Sequence, residues 1–197
     1  MKKTALLFAG QGSQTVGMGR DLCEQFPVCR ELFQRANEVL GRDLTQICFT
    51  GPEDVLTKTD NAQPAIFLHS LACLAVLGEV KFDATSGLSL GEFTALAAAG
   101  AVSFEDGLRM VQARGRFMQE ACDATSGGMA SVIGLDEVVV ADVCREADVD
   151  MANLNCPGQI VISGDKAKIA KAVEIAKARG AKRAIPLQVA GAYHSRL

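Results

Sequence analysis

Gly87-Leu88-Ser89-Leu90-Gly91 is a G-x-S-x-G sequence between an apolar, strand-like approach, Phe82 to Gly87, and a helix-prone run, Glu92 to Ala99. A strand, a sharp turn and a helix in this order form a nucleophile elbow, which lifts the serine hydroxyl above the edge of the sheet. The two glycines allow the tight turn because they have no Cβ atom. The context favours a catalytic serine at position 89, with a structural Gly/Ser turn as the alternative in a chain that has 19 glycines.

The composition is that of an ordinary globular protein. The chain has 197 residues, of which 49% are apolar and 22% charged, and its formal net charge is −3. This length has room for one substantial domain, or for one domain with a smaller one beside it. The charge gives no indication of nucleic-acid binding. The sequence has no run of about 18 apolar residues, which is the length that would predict a membrane span. The apolar run after Lys2 and Lys3 is too short for a signal peptide, so we expect a cytoplasmic protein.

The cysteines and histidines indicate neither a disulfide framework nor a zinc site. The seven cysteines are odd in number, scattered and without a C-x-x-C pair, which is typical of free thiols in a reducing cytosol. Only two histidines, His69 and His194, are available as nitrogen ligands. We therefore expect no metal ion, and we expect His69, on an apolar helix, to be a core residue.

The first 124 residues are predicted to form an α/β subdomain around the elbow. A buried strand, Thr4–Ala9, leads into a polar, Gly-rich loop, and two helices follow, with Pro27 at the first position of the second. Asp60–Leu77 is predicted as a long buried helix. Ser103 and Asp106 form a capping box for a helix that runs to about residue 122.

The order of elements changes after residue 125. Strand, helix, strand, strand, helix and strand follow one another up to residue 189, with an Asn/Pro/Gly-rich hairpin turn between the middle two strands. This β-α-β-β-α-β order predicts a ferredoxin-like small subdomain, 125–189. We predict that it is inserted into a larger α/β-hydrolase-like subdomain made of residues 1–124 and 190–197, which places the chain in the α/β class.

Several motifs along the whole chain together resemble the malonyl-CoA:acyl carrier protein transacylases of fatty acid synthesis. Motifs in a fixed order are far more specific than the pentapeptide alone. They are residues 8–14 (FAGQGSQ), 63–65 (QPA), 87–93 (GLSLGEF), 114–119 (RGRFMQ), 153–159 (NLNCPGQ) and 192–195 (AYHS).

The resemblance implies a role for six residues of this sequence. Ser89 stands at the position of the family's acyl-accepting serine, and His194 stands at that of its general base. Gln11 and Leu90 stand where backbone amides form the oxyanion hole. Arg114 stands at the position of the arginine that pairs with the free malonyl carboxylate, and Gln63 stands at that of a glutamine that lines the pocket.

The chemistry of these residue types is consistent with such roles. Serine is a poor nucleophile and needs a base within hydrogen-bond reach, which His194 would supply unless it is a surface or core histidine. Arg114 lies among apolar residues of a predicted helix, and a partly buried arginine needs an anion. A substrate carboxylate or an internal partner such as Glu92 would provide one.

The segment 166–183 has seven basic residues and one acidic residue, Glu174. Such a run is either a solvated helix face or, as the resemblance implies, a docking patch for an acidic acyl carrier protein. The partners expected from the resemblance are this carrier protein and a CoA thioester.

The chain departs from the family pattern in three respects. Leu88 stands where most members have histidine, and Phe93 stands where many have tyrosine. The sequence ends three residues after His194, whereas family members continue for roughly another third of their length. We therefore expect exposed strand edges and poor stability of the isolated chain.

The function expected from the sequence is transfer of a malonyl group from malonyl-CoA to the phosphopantetheine thiol of acyl carrier protein. The expected route is a malonyl-serine intermediate, with neither a metal nor a redox cofactor. A serine esterase or thioesterase would share the elbow without a use for Arg114. A non-catalytic carrier-protein-binding fragment is the other alternative.

Overall fold

The computed structural model describes residues 2–189 and 191–197. The chain divides into two units, one up to Phe117 and one from Met118 to Leu197. Parallel and antiparallel strands are combined with helices, which confirms the α/β class. Met1 and Ala190, at which the two segments of the predicted large subdomain begin, lie outside the described residues.

The first unit holds a two-stranded parallel sheet made of β1, Ala5–Phe8, and β2, Ala84–Gly87. The register pairs Ala5 with Ala84 and Phe8 with Gly87. Because parallel strands end at the same edge, the loop after Phe8 and the turn after Gly87 lie side by side. The pair leaves apolar surface uncovered, since Leu7 is 79% exposed.

Helices make up most of the rest of this unit. Pro27 is the first residue of α2, as predicted. Two short helices, α3 and α4, were not predicted; Asp43 caps α3 by accepting a hydrogen bond from the Gln46 amide at 2.9 Å. The helices are α1, Arg20–Gln25; α2, Pro27–Leu40; α3, Leu44–Thr50; α4, Glu53–Thr57; α5, Thr59–Leu77; α6, Leu90–Ala98; and α7, Phe104–Ala124, which continues into the second unit.

The core of the first unit forms around α5. Residues 61–68 of this helix are all buried, which confirms the prediction of a buried helix for its N-terminal half. Phe33 of α2 and Leu108 of α7 belong to the same cluster as Phe67. The α7 helix begins as predicted, because the Ser103 hydroxyl accepts a hydrogen bond from the Asp106 amide at 3.0 Å.

The second unit contains the end of α7 and a four-stranded antiparallel sheet. Its strands lie in the order β4 (Asp150–Cys156), β5 (Gln159–Asp165), β3 (Gly127–Ile133) and β6 (Arg183–Pro186). The order of elements along the chain is the predicted one. The hairpin turn is only Pro157-Gly158, because Asn155 and Cys156 continue the strand before it. The elements are β3, Gly127–Ile133; α8, Glu137–Ala147; β4, Asp150–Cys156; β5, Gln159–Asp165; α9, Lys166–Ala178; and β6, Arg183–Pro186.

The second unit has its own apolar core. Val132 and Ile162 of the sheet pack with Val143 of α8 and Val173 of α9. Over the described part of the chain, no helix is both long enough and apolar enough to cross a membrane.

Candidate active site

Ser89 occupies a sharp turn between β2 and α6. It is one of the described non-glycine residues with positive φ, with φ 51° and ψ −94°, and Leu90 begins the helix directly after it. The Gly91 amide donates a hydrogen bond to the Leu88 carbonyl oxygen at 2.8 Å and closes the turn. This strained strand-turn-helix geometry is the predicted nucleophile elbow.

Both glycines of the elbow are required by close backbone contacts. A Cβ atom on Gly87 would overlap the backbone of Gly91, and one on Gly91 would overlap the carbonyl group of Phe8. The start of α6 is therefore pressed against the end of β1. This packing fixes the height of Ser89 relative to the strand ends.

The Gly-rich loop after β1 runs beside the elbow. The Leu88 amide donates a hydrogen bond to the Phe8 carbonyl oxygen at 3.2 Å, and a Cβ atom on Gly10 would lie 2.7 Å from the Leu88 carbonyl oxygen. Gln11 follows directly. Leu90 has one of the first amides of a helix, which have no acceptor within the helix itself. The two predicted oxyanion-hole residues thus lie on neighbouring segments of the first unit.

Arg114, on α7, reaches the predicted nucleophile. Its Nη2 donates a hydrogen bond to Ser89 Oγ at 2.8 Å, and its Nη1 donates one to Gln63 Oε1 at 2.8 Å. The guanidinium carbon lies 5.6 Å from the centre of the Phe93 ring, within the range of a cation–π interaction. Both hydrogen-bond acceptors are neutral, so neither compensates the positive charge.

Burial lowers the pKa of Arg114, and the charge of Glu92 acts in the opposite direction. Glu92 was the internal partner considered from the sequence, and its effect on this pKa is the smaller of the two. The guanidinium remains charged, as arginine does in proteins. A half-buried cation with neutral acceptors is a suitable receptor for a carboxylate.

Gln63 extends this contact into a chain of hydrogen bonds. Its side chain is completely buried on α5, and its Nε2 donates to Gln11 Oε1 at 3.3 Å. Gln11 Nε2 in turn donates to Thr59 Oγ1 at 3.4 Å. Arg114, Gln63, Gln11 and Thr59 therefore form one series of side chains behind Ser89.

Close packing of α7 against the start of α5 brings these side chains together. A Cβ atom on Gly115 would lie 2.7 Å from the Thr59 carbonyl oxygen and 2.9 Å from Asp60 Cα. Any larger residue at position 115 would push the helices apart. The glycine next to Arg114 thus allows the arginine to reach Gln63.

His194 lies in the second unit, in a turn close to the end of the sequence. Its side chain is exposed and its backbone has φ 55°. Ser195 Oγ donates a hydrogen bond to the Ala192 carbonyl oxygen at 2.7 Å, which closes the turn. The pairing of His194 with Ser89 stays a prediction.

The first unit thus assembles five of the six predicted site residues: Ser89, Gln11, Leu90, Gln63 and Arg114. The hydroxyl of Thr59 was missed, because no sequence motif marks it. Its position four residues before Gln63, on the same face of a helix, was the available signal. His69 lies on α5 with Cys73, and burial lowers the pKa of its imidazole.

Within residues 2–189 and 191–197, no cluster of three or more His, Cys, Asp or Glu side chains could hold a metal ion. All seven cysteines are free. Burial raises the pKa of Cys48 to about 12 and that of Cys23 to about 11, so both remain protonated thiols at neutral pH.

Comparison with known proteins identifies the family to which the chain belongs. The family described as acyl transferase domain matches residues 5–197. A malonyl CoA-acyl carrier protein transacylase of Bacillus subtilis is 49% identical over 204 residues, which cover 100% of this chain and 64% of the relative. The chain thus spans less than two thirds of the length of that curated relative.

Solved structures give the same result. The malonyl CoA-acyl carrier protein transacylase of Clostridium perfringens superposes with a TM-score of 0.92 at 43% identity, covering 98% of this chain and 63% of that one. A complex of a malonyl-transacylase with its type II PKS acyl-carrier protein superposes with a TM-score of 0.92 at 41% identity, covering 97% of this chain and 64% of that one.

Proposed function

The chain belongs to the acyl transferase domain family, and we propose that it transfers a malonyl group from malonyl-CoA to the phosphopantetheine thiol of acyl carrier protein in fatty acid biosynthesis. The observation that carries this proposal is the 2.8 Å hydrogen bond from Arg114 to the hydroxyl of Ser89 at the elbow. A nucleophile and a receptor for a carboxylate are thereby adjacent. Malonyl thioesters have a carboxylate near the carbonyl carbon that the nucleophile attacks.

The first half of the reaction would acylate Ser89. His194 takes the proton of the hydroxyl as Oγ attacks the thioester carbon, and a tetrahedral intermediate forms. The backbone amides of Gln11 and Leu90 stabilise its oxyanion. When the intermediate collapses, the carbon–sulfur bond breaks, the imidazolium of His194 gives its proton to the sulfur of CoA, and a malonyl-serine ester remains.

Arg114 would select and hold the acyl group. A guanidinium has five N–H donors in a planar fork, and the hydrogen bonds to Ser89 and Gln63 use two of them. The other three can bind the malonyl carboxylate. An acetyl group has no such anion and would gain nothing from this interaction.

The second half would transfer the group to the carrier. The phosphopantetheine thiol attacks the ester carbonyl, with His194 as base again, and Ser89 regains its proton when the ester bond breaks.

Basic residues of segment 166–183 would bind the acidic carrier protein. Lys168, Lys177 and Arg179 form ion pairs with Asp148, Glu174 and Glu146 respectively. Lys166, Lys171, Lys182 and Arg183 are therefore the basic residues that we assign to docking.

We further propose the finer organisation predicted from the sequence. The large subdomain would comprise residues 1–124 and 190–197 in an α/β-hydrolase-like fold, with a ferredoxin-like subdomain at 125–189. The β4-β5-β3-β6 order and its antiparallel pairing support the second assignment. The free cysteines support a cytoplasmic location. The proposed mechanism uses side chains and backbone amides alone, without a cofactor.

The test is to incubate the chain with malonyl-CoA and phosphopantetheinylated acyl carrier protein and to follow the mass of the carrier. We expect malonyl-carrier with the unmodified chain and none with Ser89→Ala or His194→Ala. Release of free malonate without transfer would favour the thioesterase alternative. Binding of the carrier without acylation of the chain would favour the non-catalytic one.

A further inference from the structure

We propose that Thr59 and the side chain of Gln11 are positioning residues that orient Arg114 and thereby set the preference for an acyl group with a free carboxylate. We call Thr59, Gln11 and Gln63 the amide relay. The inference rests on the proposed function, because it concerns selectivity at the same site.

Arginine fixes the direction of every hydrogen bond in the relay. A guanidinium can only donate, so the atom of Gln63 that faces Nη1 of Arg114 must be the carbonyl Oε1. The Nε2 group of Gln63 then points the other way and donates to Gln11 Oε1. Gln11 is left with its own Nε2 as a donor, and Thr59 Oγ1 is the acceptor.

Burial makes this arrangement hard to change. Gln63 is 0% exposed and Thr59 is 1% exposed. A buried amide without partners is costly, so Gln63 keeps Oε1 on Arg114 as long as Gln11 accepts from its other end. Without the Thr59 hydroxyl, Gln11 loses the acceptor that holds its Oε1 towards Gln63.

Thr59 is also fixed relative to Arg114 by the backbone. Its carbonyl oxygen packs against Gly115, at the position next to the arginine. The hydroxyl end of the relay and the guanidinium end are thus tied to the same helix contact. The Phe93 ring gives the guanidinium a further contact, 5.6 Å from the ring centre.

Gln11 takes part in two functions of the site. Its backbone amide is a proposed donor of the oxyanion hole, and its side chain is the middle member of the amide relay. A change in the relay therefore affects the carboxylate receptor first and the reacting carbonyl second. This predicts a larger effect on malonyl than on acetyl substrates.

The experiment compares Thr59→Val, which lacks the hydroxyl, with the matched control Thr59→Ser, which keeps it. Single-turnover acylation of Ser89 by malonyl-CoA and by acetyl-CoA is followed by intact mass. We expect Thr59→Val to slow malonylation about three- to tenfold, the range for loss of one hydrogen bond, and acetylation less than about twofold. Thr59→Ser should restore the malonyl-to-acetyl ratio.

A second variant acts on the middle of the relay. Gln11→Leu keeps the backbone amide but removes the Gln11 Oε1 acceptor of the hydrogen bond from Gln63 Nε2, so the malonyl-to-acetyl ratio should fall further than in Thr59→Val. Equal slowing with both thioesters, or no change with either, would overturn the proposal.

A readout without substrate separates this proposal from the proposed function. The ¹⁵Nε resonance of Arg114 should shift in Thr59→Val and return towards its original position in Thr59→Ser. An unchanged resonance in Thr59→Val would contradict the relay even if malonyl transfer occurs. A shifted resonance in a chain that transfers no malonyl group would support the relay and refute the proposed function.

Discussion

The two units hold their candidate site residues by different means. In the first unit, Ser89 and Arg114 are fixed by hydrogen bonds between buried or half-buried side chains whose acceptors are neutral. In the second unit, the turn that contains His194 is closed by the hydrogen bond from Ser195, and Arg196, directly after it, forms exposed ion pairs. Arg196 lies 3.0 Å from Asp148 and 3.1 Å from Asp150, and its side chain is 59% exposed.

This difference predicts that mutations and salt affect the two units differently. Hydrogen bonds inside a protein are barely screened by salt, whereas exposed ion pairs are screened strongly. Loss of one interior contact also has a large effect, because each such contact depends on close packing, whereas each exposed ion pair contributes little to stability. We therefore expect large, salt-independent effects in the first unit and small, salt-dependent effects in the second.

The largest effect should come from Arg114→Met, which removes the guanidinium and leaves an apolar side chain. We expect the rate of Ser89 malonylation by malonyl-CoA to fall about 100-fold or more, since the half-buried guanidinium that would pair with the malonyl carboxylate is lost. Acetylation should change little, and intact mass over time measures both. Arg114→Lys keeps the charge without the planar fork and should be intermediate. Equal loss with both thioesters would count against a carboxylate receptor.

Gly91→Ala tests the packing of the elbow. The new Cβ atom would overlap the Phe8 carbonyl group, so we expect the free energy of unfolding to drop by about 2–3 kcal/mol. Gly158→Ala in the hairpin turn of the second unit is the matched control, because its Cβ atom would meet open space at φ 77°. Its cost should be about 1 kcal/mol. Urea unfolding measures both, and similar losses would contradict the close contact at the elbow.

Arg196→Met tests the ion pairs beside His194. Removing the guanidinium should slow acylation only about two- to fivefold at low salt, as is typical for exposed pairs. Lys168→Met removes the other cation of Asp148 without touching the turn, and it should leave the rate unchanged. In 0.5 M salt, a condition chosen to shorten the screening length, the unmodified chain should approach the Arg196→Met rate. A salt-independent difference would refute the electrostatic account.

The smallest expected effect is a pH dependence of the same ion pairs. The pKa of Asp148 is lowered first by its hydrogen bond from Lys168 and next by the charge of Arg196. The pKa of Asp150 is lowered first by the hydrogen bond from the Arg196 amide and further by the Arg196 side chain, which Arg196→Met removes. A carboxyl group whose pKa is lower in the folded chain than in the unfolded chain stabilises the fold at pH values above the ordinary aspartate pKa of about 3.9. This stabilisation is lost as the pH falls through the pKa of the folded chain. The stability difference between Arg196→Met and the unmodified chain should therefore be constant from pH 7 to 5 and shrink below pH 4. A difference that shrinks between pH 7 and 5 would contradict this assignment.

Local patterns were enough to predict much of the fold. The G-x-S-x-G elbow and Pro27 at the start of α2 depend on residues close in sequence, and so does the capping box of Ser103 and Asp106 at the start of α7. The helix α3 was missed because its sequence contains several residues with strand propensity, such as Ile47 and Phe49.

Local sequence patterns could not predict the contacts between segments that are distant in sequence. Gln63 and Arg114 are 51 positions apart, and the role of Thr59 depends on how α5 and α7 pack. The pairing of Arg179 with Glu146 of α8 reduces the free charge of the basic segment, which sequence counts alone overestimate. The resemblance identified Arg114 and Gln63, but their direct contact emerges only from the fold.

The most direct test of the account is a competition for the nucleophile. The chain is mixed with equal concentrations of malonyl-CoA and acetyl-CoA, and the adducts are identified by intact mass and peptide mapping. The account predicts a predominantly malonyl adduct on the peptide that contains Ser89, and none in Ser89→Ala. An adduct on another residue, or acetyl in equal or greater amount on Ser89, would contradict it.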